Sequence, residues 1–253
     1  MSELHPATRG FASADRYERG RPSYPAAALA AIVERLQLRA GRTVLDLAAG
    51  TGKLTRLLAS SGAGVVAVEP VAEMRTELER RVPGIRVLDG TAERIPLADG
   101  SVDGVTVAQA FHWFRADEAL REIHRVLRPN EWLALVWNVR DERDRLQAEL
   151  SRLVAPLEHG VPRRHERDWR TVFDASDLFE HAEVRTFANV QEVDEQGLVE
   201  RITSISFVAA ADDATRAEIE ARVRALVRDA ELPIRLPYTT ELYLGRAKVV
   251  TEP

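Results

Sequence analysis

From about residue 25 the chain alternates between short apolar runs and longer stretches with helical periodicity. Pro25 suits the first position of a helix, and Leu29, Ile32, Val33 and Leu36 recur at helical spacing until Gly41. Next comes "TVLDLAAGTG", a compact apolar run that ends in small residues. It is followed by "KLTRLLASSG", in which Leu54, Leu57 and Leu58 share one face. The pattern predicts strand, glycine turn, helix. The unit repeats with "GVVAVEP" as a strand, "VAEMRTELERRV" as a helix and "GIRVLDG" as a third strand. "VDGVTVAQA" is a fourth strand. "ADEALREIHRVLRP" is a helix with acids in its first turn, arginines in its last and Pro129 as its stop, and "EWLALVWN" is a fifth strand. Strands separated by helices in this way imply right-handed parallel crossovers, so residues 43–138 should form an open parallel sheet with helices on both faces.

The remaining third reads differently. After a mixed acidic and basic stretch at 140–171 come a strand-like "AEVRTFANV", helical periods at about 194–205 and 212–229, and a final strand-like "RLPYTTELYLGRA". Alternation at Tyr238, Leu242 and Leu244 suits a strand at the edge of a sheet. With no Gly/Ser-rich linker, internal repeat or low-complexity segment, one domain with an N-terminal arm is expected.

Composition narrows the functional classes. The 253 residues include no cysteine, which excludes disulfides, a thiolate nucleophile and cysteine-held metal clusters. The net charge of −5 disfavours a surface built to neutralise many phosphates. Of the 35 basic residues only Lys53 and Lys248 are lysine, and the arginines are interspersed with acids, as in "RAEIEARVRALVRD". This reads as solvated helix surface rather than a binding patch. The polar start of the chain lacks a secretory apolar region, and no run approaches the ~18 apolar residues of a spanning helix. A soluble cytoplasmic protein is the expectation. The dispersed histidines give no metal-binding spacing.

The chemistry should gather where Asp46-Leu47-Ala48-Ala49-Gly50-Thr51-Gly52-Lys53 closes the first strand, because a glycine turn opening a helix offers backbone N–H groups and close approach. A triphosphate loop would need glycine at Leu47 and a hydroxyl at Leu54, so it fails. A dinucleotide fingerprint begun at Gly50 meets Thr55 in place of its third glycine. It is weakened but stays open, because Glu69 ends the second strand at the appropriate distance. A third reading starts from the acids: the carboxylate of Glu69 can accept both hydroxyls of a ribose, and the small residues admit an uncharged, amino-acid-bearing nucleoside.

Here the chain resembles the class I S-adenosylmethionine-dependent methyltransferases, in the branch often called methyltransferase type 11. The resemblance lies in "VLDLAAGTGKLTRLLA" (44–59), "VVAVEPVAEM" (65–74), "GTAERIPLADGSVDGVTVAQAFHWF" (90–114) and "REIHRVLRPNEWLALVWN" (121–138), in the family's order and spacing. "YERGRPSYP" (17–25) is similar to the N-terminal segment of the same branch. Ala48 replaces the family's first glycine, and Thr91 replaces a frequent acid.

The resemblance implies a Rossmann-like, mostly parallel seven-stranded sheet with an antiparallel last strand. It divides the chain into an arm or lid at 1–24, a cofactor-binding half at 25–138 and a substrate cap at 139–253. It implies S-adenosylmethionine as cofactor and S-adenosylhomocysteine as product. Asp46, Ala48, Gly50, Gly52 and Gln109 would line the methionine moiety and the transferring methyl, Glu69 would hold the ribose, and Pro70 and Met74 would flank the adenine. Thr91, Ala92 and Glu93 would meet its polar edge, and Tyr17 or Arg21 would bind the cofactor carboxylate. Tyr24, Phe111, His112 and Trp113 would contact the methyl acceptor, with the aromatic faces of Phe111 or Trp113 positioning the sulfonium. His112 is the candidate catalytic base for a hydroxyl, or a hydrogen-bonding group where a carboxylate needs no base.

The expected acceptor is a small molecule methylated at oxygen, such as a small acid resembling trans-aconitate or a natural-product hydroxyl. "QAFH" at 109–112 is not the turn expected to hold a flipped nucleobase, so no nucleic-acid partner, no membrane and a monomer or homodimer are expected. The rival readings are a cofactor-binding module without transfer and an NAD-type oxidoreductase.

Overall fold

The short apolar runs become strands covered on both faces. A computed structural model describes residue 18, residues 20–158 and residues 169–249. Its strands β1 (Thr43–Leu47), β2 (Gly64–Val68) and β4 (Val102–Ala108) are buried along almost their whole length, and β3 (Arg86–Leu88) is shorter. Such continuous burial is characteristic of parallel strands sandwiched between helix layers. The helices α1 (Ala26–Arg35), α2 (Lys53–Ala59), α3 (Ala72–Arg81) and α4 (Ala116–Val126) alternate with them, and β5 (Leu127–Arg140) follows.

The seven strands run in the order β3-β2-β1-β4-β5-β7-β6, where β6 is Glu183–Val193 and β7 is Ile234–Arg246. Strands β1 to β5 pair in parallel, and the last strands are antiparallel. From β1 the chain steps outward through β2 to β3, then returns to β4 on the other side of β1. The order reverses at β1 and β4, whose ends are in register at Leu47 and Val107. In open sheets of this kind the crevice beyond the strand ends at that reversal is where ligands bind.

Two expectations are corrected. Helix α4 ends at Val126, ahead of Pro129, and Leu127 is already extended and paired with Val102. Proline disfavours helical backbone at Arg128, the residue before it, so the helix cannot run on to Pro129. The final strand β7 is also not at the sheet edge: it lies between β5 and β6. Its alternation gives way to continuous burial at Leu242–Gly245, as an interior strand requires. The edge is β6, which alternates half-buried and exposed along its whole length.

The stretch 140–171, read only as charged, contains α5 (Arg145–Val154) and the start of α6 (Trp169–Ala175). The later helical periods form α7 (Glu195–Thr203), α8 (Ser206–Ala209) and α9 (Asp213–Leu226). Aspartate begins three of these helices. Asp144, Asp194 and Asp212 accept the otherwise unbonded N–H groups of Gln147, Gly197 and Thr215.

The chain forms two compact units. The larger comprises Tyr24–Trp137, Pro162–Phe187 and Thr240–Pro253; the smaller comprises Met1–Ser23, Asn138–Val161 and Ala188–Thr239. Each has its own apolar core. In the larger unit Ile32, Leu36, Leu54, Leu58, Leu242 and Leu244 cluster together. In the smaller, Leu150, Val154, Leu198, Ile202 and Val223 do so. Within the smaller unit the arm is tied down through its backbone: Gln191 Nε2 donates to Gly20 O at 3.1 Å, and Asn138 and Asn189 Nδ2 donate to Ser23 O at 3.1 and 2.8 Å. Among the described residues no helix is long and apolar enough to cross a membrane.

Candidate active site

At the end of β1 the backbone turns through left-handed conformations at Ala48 (φ 55°), Gly50 (φ 58°) and Gly52 (φ 85°). Ala48 carries a side chain there, a conformation that costs about 1 kcal/mol and tends to persist where function requires it. The two glycines differ in their surroundings. A Cβ at Gly50 would meet only Met74 Sδ, at 3.6 Å, whereas one at Gly52 would lie 2.9 Å from Leu78 Cγ and 3.2 Å from Val82 Cγ2. The turn is therefore open at Gly50, while Gly52 is required by the packing of α3.

Asp46, on β1, has no exposed surface. Thr55 Oγ1 donates to its Oδ2 at 2.6 Å and Thr106 Oγ1 to its Oδ1 at 3.0 Å, so the acid joins β1 to α2 and β4. Burial pushes its pKa up to about 6, restrained by the hydroxyls of Thr55 and Thr106 and the Thr55 N–H. Glu69, just beyond β2, is also buried. It accepts from Gly50 N on one oxygen and from Val71 N on the other, both at 2.9 Å, and so ties the turn after β1 to the turn after β2. Burial raises its pKa as well, opposed by those N–H groups and by Arg75, and Asp46 adds a smaller upward push. Arg75 Nη1 holds the Glu69 carbonyl at 2.8 Å and Asp89 Oδ1 at 3.1 Å.

Further along, Pro70 is half-buried and Met74 and Ala92 are buried. Thr91 bridges to Arg94 in a tight turn, and Glu93 Oε1 accepts the N–H of Arg115, ahead of α4, at 2.9 Å.

After β4, Gln109 is again left-handed (φ 60°), and its N–H bonds to Val136 O at 2.9 Å. Strained residues thus follow both β1 and β4, the two strands at which the sheet order reverses. A 3-10 turn at Phe111–Trp113 follows. Phe111 was expected to offer an aromatic face to a ligand. The structure buries it completely, edge-on to Phe114 at 5.5 Å and to Trp169 at 5.9 Å. Its ring is committed to packing. His112 and Trp113 are half-buried, with ring centroids 5.4 Å apart.

Three residues here escaped the sequence reading. Trp137 Nε1 donates to His112 Nδ1 at 3.4 Å, and Trp137 stacks on Trp169 at 4.8 Å, with Tyr243 edge-on to both. Trp137 was visible only as part of an apolar strand. Trp169, on α6, and Tyr243, on β7, lie far along the chain from Gln109-Phe114, with no motif to connect them.

Tyr24 packs on the core of the larger unit. Arg21 belongs to the smaller unit, where its Nη2 donates to Ser204 O at 3.2 Å. Tyr17 lies outside the described residues.

The profile described as "Methyltransferase domain" matches residues 45–135, which contain Asp46, Gly50, Glu69 and His112. An uncharacterized methyltransferase of Mycobacterium tuberculosis is 43% identical over 183 residues, covering 68% of this chain and 74% of the relative. A candidate Type II methyltransferase of Anaeromyxobacter dehalogenans has a solved structure with TM-score 0.68 at 26% identity, covering 89% of this chain and 97% of its own. An N-methyltransferase of Haemonchus contortus, solved with phosphomonomethylethanolamine and S-adenosylhomocysteine, shares the fold at TM-score 0.57 and 15% identity, over 96% of this chain and 58% of its own. Matching sequence blocks, sheet order and glycine turn agree: this chain belongs to the class I S-adenosylmethionine-dependent methyltransferases, in their type 11 branch.

Proposed function

We propose that this methyltransferase acts on an oxygen of a small molecule, and that the oxygen belongs to a carboxylate. The observation that carries this reading is the contact between Trp137 Nε1–H and His112 Nδ1. An indole N–H only donates, so the imidazole nitrogen facing it must accept, and the neutral ring then carries its proton on Nε2. In that tautomer His112 is a donor on the Nε2 side. It orients an acceptor oxygen but does not remove a proton there, and a carboxylate already has the electron pair it needs.

The residues beyond β1 and β2 suit the cofactor. Space is open above Gly50, and Glu69 is held by two N–H groups in the orientation in which its remaining lone pairs can accept ribose hydroxyls. Gly50, Glu69, Pro70 and Met74 would hold the nucleoside, with Thr91 and Ala92 at the adenine edge. Asp46, enclosed by Thr55 and Thr106, fixes the turn from beneath. When bound, S-adenosylmethionine supplies an electrophilic methyl on a cationic sulfur whose charge is lost on transfer. The protein's part is alignment and exclusion of water, which needs no nucleophilic side chain.

A tritiated-methyl screen over carboxylic acids, phenols and amines tests this reading. Base-labile label on an acid is the expected product; label confined to phenols or amines would overturn it. His112→Gln, which keeps a donor, should retain more activity than His112→Ala.

A further inference from the structure

The smaller unit contains a feature that the cofactor chemistry does not use. Arg201, on α7, is 5% exposed, although arginine is almost never buried unless paired. Its Nε donates to Tyr238 Oη at 3.0 Å, and its Nη1 is buried without a hydrogen-bond partner among the described residues. Arg140, at the end of β5, is partly buried, and its Nη1 donates to Ser151 Oγ at 3.1 Å. No ion pair of either guanidinium is found among the described residues. Their hydrogen-bond partners are hydroxyls.

Tyr238 is the hub. Its hydroxyl receives Arg201 and donates to Gln191 Oε1 at 3.3 Å. Burial and then the charges of Arg201 and Arg21 hold Arg140 down to about 10. Glu158 acts in the opposite sense, more weakly than either arginine. At Tyr238 burial opposes ionisation, but Arg201 and then Arg140 outweigh it and the phenol lies below its usual value.

A buried guanidinium with an unbonded Nη1 and a second guanidinium hydrogen-bonded only to a neutral hydroxyl offer donors of the kind an anion takes. We infer that Arg140, Arg201 and Tyr238 form a binding site for the carboxylate of a small organic acid. Planar guanidinium groups suit the bidentate geometry of a carboxylate, and the phenol of Tyr238 positions the Arg201 guanidinium by accepting its Nε–H. The expectation that the arginines of this chain are solvated surface fails at these two positions. Binding of the acid is a property of the smaller unit and stands by itself.

The test is calorimetry on the full chain with acetate, succinate, citrate and inorganic phosphate, and separately with S-adenosylhomocysteine. At least one carboxylate should bind, and Arg201→Met and Arg140→Gln should each weaken it about tenfold or more, while Tyr238→Phe costs less. Cofactor affinity should stay within about twofold of the parent, which also shows that the variants fold. Three results would overturn the site: no carboxylate binding to the parent, equal binding to parent and variants, or a preference for phosphate. A parallel loss of cofactor affinity would assign these groups to the cofactor and overturn it as well. Failure of S-adenosylhomocysteine to bind the parent, with the acid still bound through the arginines, would refute the reading of the larger unit and leave this site standing.

Discussion

The larger unit buries the carboxylates of Asp46 and Glu69, and the smaller buries the guanidinium of Arg201. All three groups leave water, but their surroundings differ. Each oxygen of Asp46 takes a hydroxyl, and each oxygen of Glu69 takes a backbone N–H. Among the described residues the Arg201 guanidinium has a single hydrogen bond, to a phenol. These hydrogen-bonded acids act as fasteners, joining β1 to α2 and β4 and joining two turns to each other. An under-supplied cation contributes little to folding and is kept for something that arrives from outside.

Substitutions should expose this contrast. Asp46→Ala leaves the hydroxyls of Thr55 and Thr106 buried without their acceptor and should cost about 2 to 4 kcal/mol of stability in urea unfolding. A loss below ~1 kcal/mol would show that Asp46 is not a fastener. Its pH dependence has a definite sign. The folded protein keeps the Asp46 proton to about pH 6, and the unfolded chain releases it near the ordinary value of 3.8. The unfolded state therefore binds fewer protons in that window, so this contribution to stability, up to about 3 kcal/mol, declines as pH rises from 4 to 6. Asp46→Asn should remove that decline relative to the parent.

Glu69→Ala should weaken S-adenosylhomocysteine binding by about 1 to 3 kcal/mol, read by calorimetry, because the ribose partner and the tie between Gly50 and Val71 are lost together. Unchanged affinity would remove Glu69 from the site. The smallest effect on stability belongs to the other unit. Arg201→Met gives up one bond to Tyr238 but relieves the burial of a cation, so its stability should lie within ~1 kcal/mol of the parent or above it. A loss as large as that of Asp46→Ala would make Arg201 a structural residue and abolish the contrast.

Much of the larger unit is legible along the chain because its signals are local. Apolar runs and helical periods locate β1, α2, β2 and α4, and Asp46 and Glu69 stand out as acids at strand ends. The position of β7 is not local: alternation at Tyr238, Leu242 and Leu244 describes one face of a strand and says nothing of which neighbours flank it. The aromatic surroundings of His112 are hidden for the same reason, since Trp137, Trp169 and Tyr243 come from three separate elements.

By itself the sequence determined the element types of residues 25–138, the family and the place of the glycine turn, because backbone periodicity and motif spacing depend on residues close together in the chain. Only the tertiary structure decided what each polar group meets: that Phe111 is core, that Asp46 is enclosed by two threonines, that His112 faces an indole N–H, and that Arg201 lies buried beside Tyr238. Those outcomes depend on desolvation and on partners brought together from distant segments, and neither is encoded in spacing along the chain.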